Sequence, residues 1–147
     1  MAQFELELPT EVMNDFKKIH DNYEKIFGGM TKAGAQVVLN NVRANLPPSL
    51  KSSLFARNVG LTRTYKTPSD NGINTKVIID GYFYTKPNKS HKVRKVPAPL
   101  VANMFEYGSS KKNYPKQPFL RKSFKKAQLE KVMFDEQKRL SGGLLDE

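Results

Sequence analysis

The sequence predicts an α+β fold, in which two N-terminal helices and one C-terminal helix pack against an antiparallel β-sheet that carries a long basic hairpin loop. Apolar residues recur at helical spacing over residues 10–46 and again after Pro118. Residues 58–84 are instead rich in β-branched and aromatic residues around an Asn-Gly turn. A chain of 147 residues fits one domain, so we expect residues 1–147 to form a single unit.

The N-terminal residues predict an edge strand followed by a helix. Apolar and polar residues alternate over residues 3–8, which is typical of a half-buried strand. Thr10 can cap the helix that follows, and the Gly28-Gly29 pair is expected to end it. The apolar stripe of this helix consists of Val12, Phe16, Ile19, Tyr23 and Phe27.

A second helix is predicted over residues 31–46, where Thr31 can act as the N-cap and the Pro47-Pro48 pair forces the end. Its apolar face consists of Ala35, Val38, Leu39, Val42 and Leu46. The glycine-rich stretch before it lacks the spacing of a P-loop, and no strand immediately precedes it. We therefore do not expect a phosphate cradle here.

A β-hairpin is predicted over residues 58–65 and 75–84, because Asn71-Gly72 and a nearby proline are typical of a hairpin turn. A bulge at Gly81 would shift the register of the second strand. Both faces of the sheet would then carry apolar groups. That pattern fits a sheet covered by helices on one side and by a neighbouring subunit on the other.

Two further helices follow in the last third of the chain. Pro99, Leu100, Met104 and Phe105 give the first an apolar side, and Gly108 is expected to end it. The last helix is predicted from Pro118 to about residue 140, with Leu120, Phe124 and Ala127 opening its buried stripe. We expect residues 141–147 to form a flexible tail.

Charge is concentrated in the middle of the chain. The formal net charge is +11, and residues 51–126 hold 17 basic and 3 acidic side chains, a net charge of +14. A surface of this kind can face nucleic acid, an acidic protein or water. The chain has no cysteine, which excludes disulfides, thiolate zinc sites and a cysteine nucleophile. No stretch approaches the roughly 20 apolar residues of a membrane span, and we expect synthesis in the cytoplasm without membrane partners.

Residues 86–95 form the most basic segment and are predicted to be an extended loop. Its cations are Lys86, Lys89, Lys92, Arg94 and Lys95. Lysine and arginine bind duplex DNA by releasing counterions, without contacting bases. No aromatic residue lies between these charges, so the loop lacks a stacking platform for single strands. An acidic protein partner is an equal alternative to DNA.

The chain has few groups for catalysis. Asp70, Asp80 and Glu106 are the only acidic residues between positions 51 and 126. Neither Asp80 nor Glu106 is followed at a two-residue spacing by lysine, as a metal-dependent nuclease would want. We therefore expect a protein that is not an enzyme and that binds no metal or cofactor.

Two short motifs carry a resemblance to a known family. Met104-Phe105-Glu106-Tyr107-Gly108 ends one helix, and Gln117-Pro118-Phe119-Leu120-Arg121 opens the next after a short loop. This arrangement resembles the head-tail joining or tail-completion family of long-tailed bacteriophages. The order of the N-terminal elements is also similar to that family. Pro47-Pro48-Ser49-Leu50 stands where the family usually has a Thr-Gly-Leu step.

The resemblance implies a structural virion protein of a tailed phage. Such a protein forms a hexameric ring at the neck, completes the tail and joins it to the DNA-filled head. Its partners would be a tail-tube or tail-terminator protein on one side and a connector or stopper protein of the head on the other, with DNA in the lumen as a further candidate. The residues expected to serve assembly are Phe105, Glu106, Tyr107, Pro118, Phe119 and Arg121.

In that setting, Glu106 would be a structural or inter-subunit anchor that pairs with a basic residue or with backbone N–H groups of the loop after Gly108. The basic loop would contact a neighbouring ring or the DNA channel. Two alternatives remain open. The chain could be a small protein that binds duplex DNA through phosphate contacts. The motifs could also reflect only turn chemistry and core packing.

Overall fold

The structure is a computed structural model that describes residues 9–85 and 92–142. It is a mixture of helices and short antiparallel strands, which confirms the predicted α+β class. The helices are α1 (Thr10–Asn45), α2 (Pro48–Lys51), α3 (Ala98–Tyr107), α4 (Leu120–Ser123) and α5 (Lys126–Ser141). The strands are β1 (Val59–Leu61), β2 (Tyr65–Lys66), β3 (Ile73–Asn74), β4 (Val77–Ile79), β5 (Tyr82–Tyr84) and β6 (Lys95–Pro97). Two 3-10 turns span Leu54–Asn58 and Ser110–Lys112.

A single helix, α1, replaces the two N-terminal helices that the sequence predicted. The glycines do not break it because they serve the packing of α5 against α1. A Cβ atom at Gly29 would overlap the side chain of Leu140, and one at Gly34 would lie 3.1 Å from Met133. The missing side chains allow α5 to lie close to α1, and this packing outweighs the low helix propensity of glycine.

The strands form three separate antiparallel pairs in place of one sheet. In the predicted hairpin, β1 pairs with β4 and β2 pairs with β3, with Val59 opposite Ile79. Asn71 takes a left-handed conformation at the turn, with φ of 55°. The hairpin and its turn are therefore as expected, but each predicted strand is divided into two pieces.

A kink at Gly81 interrupts the second predicted strand. Gly81 has φ of +78°, and β5 beyond it pairs with β6 instead of continuing along β1. The Asn58 side-chain amide donates hydrogen bonds to the carbonyls of Asp80 at 2.8 Å and Tyr82 at 3.3 Å. Asn58 thus holds the chain on both sides of the kink. The kink at Gly81 moves the chain onto a different partner strand, whereas the predicted bulge would only have shifted the register.

The core lies between the second half of α1, the strand pair β1–β4 and α3. Its buried residues are Leu39, Val42, Leu46, Leu50, Phe55, Val59, Ala98, Val101, Ala102 and Phe119. Phe55 packs edge-to-face on Phe83, with ring centroids 5.8 Å apart. Most of the second predicted helix face is therefore confirmed as core. Leu100, which was expected on the apolar side of α3, is 59% exposed.

The C-terminal helix is broken at Phe124 and Lys125, where the sequence predicted continuity. Asn41 on α1 donates a hydrogen bond to the Ser123 carbonyl at 3.0 Å, and Asn45 donates one to the Ser123 hydroxyl at 3.1 Å. The Ser123 carbonyl is thereby bound to a side chain of α1 at the point where α4 ends. The break turns Phe124 outward, so it is 65% exposed and not part of a buried stripe.

The first turns of α1, residues 10–18, extend beyond the rest of the described structure. The side chains of residues 10–18 are all exposed, including Val12 and Phe16 of the predicted stripe. The predicted edge strand at residues 3–8 lies outside the described residues, as do residues 86–91 of the basic loop and residues 143–147 of the predicted tail. Across residues 9–85 and 92–142, every helix is too short or too polar to cross a membrane.

Candidate assembly site

Glu106 is a buried carboxylate at the C-terminal end of α3, and it binds the N-terminal end of α4. Its Oε2 atom accepts hydrogen bonds from the backbone N–H groups of Phe119 at 2.8 Å and Leu120 at 3.0 Å. Its Oε1 atom accepts from Arg121 twice, from the backbone N–H at 3.3 Å and from Nε at 2.9 Å. The Glu106 side chain is only 2% exposed, whereas that of Arg121 is 61% exposed. We call this cluster, Glu106 with residues 119–121, the Glu106 clasp.

The Glu106 clasp supplies what the start of α4 otherwise lacks. The first N–H groups of any helix have no partner within the helix, and Phe119 has no side-chain cap of its own. A carboxylate from α3 accepts hydrogen bonds from three of these donors. Its negative charge is also stabilising beside the positive N-terminal end of the helix. Glu106 therefore fixes α4 on α3. It pairs with a basic residue, one of the two predicted alternatives, and its backbone donors lie at the start of α4 and not directly after Gly108.

The same hydrogen bonds determine the ionisation of Glu106. Burial is the largest single influence and raises the pKa of the carboxyl. The hydrogen bonds from Leu120, the Arg121 side chain, Phe119 and the Arg121 backbone together outweigh burial, so the pKa lies below its ordinary value. Glu106 is therefore a charged group at neutral pH, and its partners are the backbone and a single arginine.

The loop between α3 and α4 folds back on the end of α3. Gly108 ends α3 with φ of 76°, as the sequence predicted, and a Cβ atom there would lie 2.8 Å from the Tyr114 carbonyl oxygen. Ser109 and Tyr114 exchange two backbone hydrogen bonds of 3.1 and 3.0 Å. The Gln117 N–H donates to the Phe105 carbonyl at 2.8 Å. The loop is thus a tight hairpin anchored at both ends.

Tyr107 and Arg121 form the exposed side of this arrangement. The Arg121 guanidinium carbon lies 5.4 Å from the centroid of the Tyr107 ring, within the range of a cation–π contact. Tyr107 is 62% exposed, and the Tyr114 ring on the loop is 48% exposed. The two tyrosines line the same shallow depression with Gly108 and Lys116. Tyr114 was not among the residues expected to serve assembly, and its aromatic type was the one signal for a contact role.

The six predicted assembly residues divide into a buried group and an exposed group. Phe119 is 0% exposed and Glu106 is 1% exposed, so both belong to the interior of the protomer. Phe105 packs partly buried against the core, and Pro118 is partly exposed. Only Tyr107 and Arg121 present most of their side chains to the surface. The buried residues can therefore serve assembly only by positioning this exposed pair.

The described part of the basic loop, residues 92–95, pairs antiparallel with the end of β5 and with Thr85. Thr85 and Arg94 bind each other through the Thr85 N–H and the Arg94 carbonyl at 3.0 Å, next to the pair β5–β6. Lys92, Arg94 and Lys95 are exposed, and Lys95 Nζ lies 4.0 Å from the centroid of the Tyr82 ring. Lys86 and Lys89, which were also predicted as contact residues, lie outside the described residues.

An apolar groove lies beside α1, and the sequence analysis did not predict it. It consists of two adjoining cavities of about 580 and 380 Å³, which share Val38, Val77 and Phe124 as lining residues. The larger cavity also contacts Leu129 and Met133 of α5. The groove exists because the chain breaks between α4 and α5 and turns Phe124 outward. No local sequence pattern signals this break, since it depends on asparagines of α1.

Asp70 and Asp80, the other two acidic residues between positions 51 and 126, accept hydrogen bonds within their own turns. Asp70 Oδ1 accepts the Gly72 N–H at 2.9 Å, and Asp80 Oδ1 accepts the Gly81 N–H at 2.6 Å. In the described part of the chain, no three His, Asp or Glu side chains gather as metal ligands would. In comparisons with protein-family models, curated proteins and solved structures, the chain matched none.

Proposed function

We propose that this chain is a structural virion protein of a tailed phage, which forms a ring at the neck, completes the tail and joins it to the DNA-filled head. The observation that carries the proposal is the Glu106 clasp. A buried carboxylate holds two helix ends together and thereby fixes Tyr107 and Arg121 on the surface. These residues belong to the two motifs on which the family resemblance rests.

The exposed apolar surface supports an assembling protomer. Phe16, Tyr84, Leu100, Tyr107 and Phe124 are each more than half exposed. Monomeric proteins rarely expose large contiguous apolar patches, and such patches mark interaction surfaces. Aromatic residues and arginine, as at Tyr107 and Arg121, are also the types enriched at the centres of protein interfaces.

The partners of the proposed ring are those that the family resemblance implies, and the charge of the chain adds an acidic surface or DNA. A tail-tube or tail-terminator protein would bind one side, and a connector or stopper protein of the head would bind the other. The loop between β5 and β6 would contact an acidic surface of a neighbouring ring or DNA in the lumen. We propose six subunits, as the family resemblance implies.

A structural role also fits the chemistry of the acidic residues in the middle of the chain. Asp70 and Asp80 accept hydrogen bonds from their own turns, and Glu106 binds backbone groups and Arg121. General acid–base catalysis needs a carboxyl group that can reach a substrate proton. These three carboxylates instead stabilise turns and a helix start, so we propose that the protein is not an enzyme.

Duplex-DNA binding is a second candidate function, favoured by the net charge of +14 over residues 51–126. The two functions differ in their response to salt. Binding through several phosphates weakens by orders of magnitude between about 50 and 200 mM salt, whereas an apolar protein contact does not. Fluorescence anisotropy with a labelled duplex at both salt concentrations therefore separates them.

The joining role is tested by electron microscopy of lysates from a phage with a stop codon early in this gene. Filled heads beside separate tails are the expected result, because the two halves form independently and lack their joint. Complementation with the wild-type gene must restore tailed particles. Normal tailed particles without complementation would refute the proposal and leave duplex-DNA binding as the leading function.

A further inference from the structure

The projecting first turns of α1 carry an apolar stripe that the rest of the described chain leaves largely uncovered. Phe16 is 61% exposed, Met13 is 52% exposed and Val12 is 38% exposed. They lie one helical turn apart or closer, on neighbouring positions of the same side. The first contact of α1 with the hairpin comes later, where Lys66 Nζ donates a hydrogen bond to the Tyr23 hydroxyl at 2.8 Å and pairs with Glu24. We call residues 12–19 of α1 the donor stripe.

The apolar groove is a second uncovered surface, and it is longer than the donor stripe. It follows α1 from Thr31 to Val42, and Phe124 forms a wall shared by its two cavities. At roughly 1.5 Å per residue, this part of α1 spans about 16 Å and the donor stripe about 10 Å. The groove also leaves Phe124 65% exposed at its rim. One helix face of this length therefore fits along the groove.

The donor stripe cannot enter the groove of its own chain. Both surfaces belong to one uninterrupted helix, α1, which contains no proline at which it could fold back. Phe16 and Val38 are about 33 Å apart along the helix axis at roughly 1.5 Å per residue. Any contact between the two surfaces must therefore join different molecules.

The charges beside the two surfaces are complementary. Residues 10–21 hold three acidic and two basic side chains, whereas residues 120–126 hold four basic side chains and no acidic one. Lys122, Lys125 and Lys126 next to Phe124 are all exposed. Opposite charges at the rim favour the encounter of this partner and disfavour a parallel pairing of two donor stripes.

From these observations we infer that the groove binds the donor stripe of a second copy of this chain. The contact is heterologous, because the donor stripe of one subunit binds a different surface, the groove, on the next subunit. Such contacts build closed rings when the rotation closes and open filaments when it does not. The inference rests on the proposed ring for its biological setting and identifies the residues of its subunit interface.

Analytical ultracentrifugation of the full chain tests this interface over a range of protein concentrations. Phe16→Ser removes the donor stripe and Phe124→Ser removes the groove wall, and both side chains are exposed enough for the fold to persist. Each variant should raise the concentration needed for association by roughly tenfold or more, as loss of a buried aromatic anchor does. Phe134→Ser is the matched control, since Phe134 is 54% exposed but lies outside both surfaces.

Mixing the two variants gives the sharpest result. Phe124→Ser keeps its donor stripe and Phe16→Ser keeps its groove, so the mixture should form a one-to-one heterodimer and nothing larger. A contact between two donor stripes, or between two grooves, would not recover on mixing, and that outcome would overturn the inference. A wild-type chain that stays monomeric at every concentration would also overturn it. A loss of melting temperature in Phe16→Ser would then indicate that the chain's own terminal residues cover the stripe.

The phage experiment separates this inference from the proposed function. Filled heads beside tails in the stop-codon lysate, with full rescue by both Phe16→Ser and Phe124→Ser, would support the joining role and refute the interface. Heterodimers of the two variants in a protein whose loss leaves tailed particles intact would support the interface and refute the joining role.

Discussion

Glu106 Oε2 accepts a hydrogen bond of 2.8 Å from the Phe119 N–H, which joins the end of α3 to the start of α4 across the intervening loop. Phe119 is fully buried beneath this bond, and Arg121 lies exposed above it. The hydrogen bond between Glu106 and Phe119 thus links the core of the protein to its surface. It makes the position of Arg121 and its neighbour Tyr107 depend on a carboxylate that no partner can reach.

Replacing Glu106 by alanine should destabilise the fold by about 2–3 kcal/mol, because three buried or partly buried N–H groups lose their acceptor. The cost stays below that of a fully buried ion pair, since the Arg121 side chain is 61% exposed and water can solvate it. Urea denaturation measures the change. Glu130→Ala is the control, because its contact with Lys126 is an exposed pair, and equal stability losses in both variants would contradict the account.

The contribution of Glu106 to stability should depend on pH. Its pKa is lower in the folded state than its ordinary value of about 4.5, so the stabilisation is complete above that value and is lost as pH falls through the folded pKa. The wild type should therefore exceed Glu106→Gln in unfolding free energy at pH 6, and the difference should shrink below about pH 4.5. Denaturation curves between pH 6 and pH 3 test this, and a constant difference would count against it.

Phe119→Ala should reduce the free energy of unfolding by about 3–5 kcal/mol, because it leaves a cavity in the core. Phe119 is 0% exposed, whereas Phe124, five residues further on, is 65% exposed. Phe124→Ala should leave the unfolding free energy nearly unchanged. Similar losses in the two variants would show that the chain does not break between α4 and α5 as described.

Gly108→Ala should destabilise the protein by roughly 1–3 kcal/mol, because alanine is strained at positive φ. The new Cβ atom would also lie 2.8 Å from the Tyr114 carbonyl oxygen, and backbone cannot move aside cheaply. Gly60→Ala in β1 is the control, since no atom lies within 4 Å of its added Cβ. Thermal denaturation should show a lower midpoint for Gly108→Ala and an unchanged midpoint for Gly60→Ala.

The basic loop is predicted to serve assembly and not stability. Replacing Lys89, Lys92, Arg94 and Lys95 together by serine should leave the melting temperature nearly unchanged, because the described members of this set are exposed. The same variant should complement a phage that lacks the protein poorly. Full complementation would show that the loop has no joining role.

Local chemistry explains which elements the sequence could predict. The end of α3 at Gly108 and the hairpin turn at Asn71 were correct, because positive φ and turn preference are properties of single residues. The Gly28-Gly29 break was wrong because α5, which is distant in sequence, needs the space that Gly29 leaves. Local propensity cannot anticipate such packing.

In the candidate site, too, local chemistry could be predicted from the sequence and tertiary packing could not. The pairing of Glu106 followed from the two motifs, but the burial of Phe119 and the exposure of Tyr107 required the fold. Phe124 was predicted to be buried by helical periodicity alone. Its exposure depends on Asn41 and Asn45, whose hydrogen bonds to Ser123 end α4. The groove beside α1 therefore had no signal in the sequence.

The most direct test of the proposed joining surface is a count of tailed particles when the stop-codon phage is complemented by Tyr107→Ser. Unfolding midpoints must first show that this variant and the control, Phe134→Ser, are as stable as the wild type. We predict that Phe134→Ser restores tailed particles, whereas Tyr107→Ser leaves filled heads beside separate tails. Equal restoration by both variants would contradict the claim that the surface held by Glu106 joins the head to the tail.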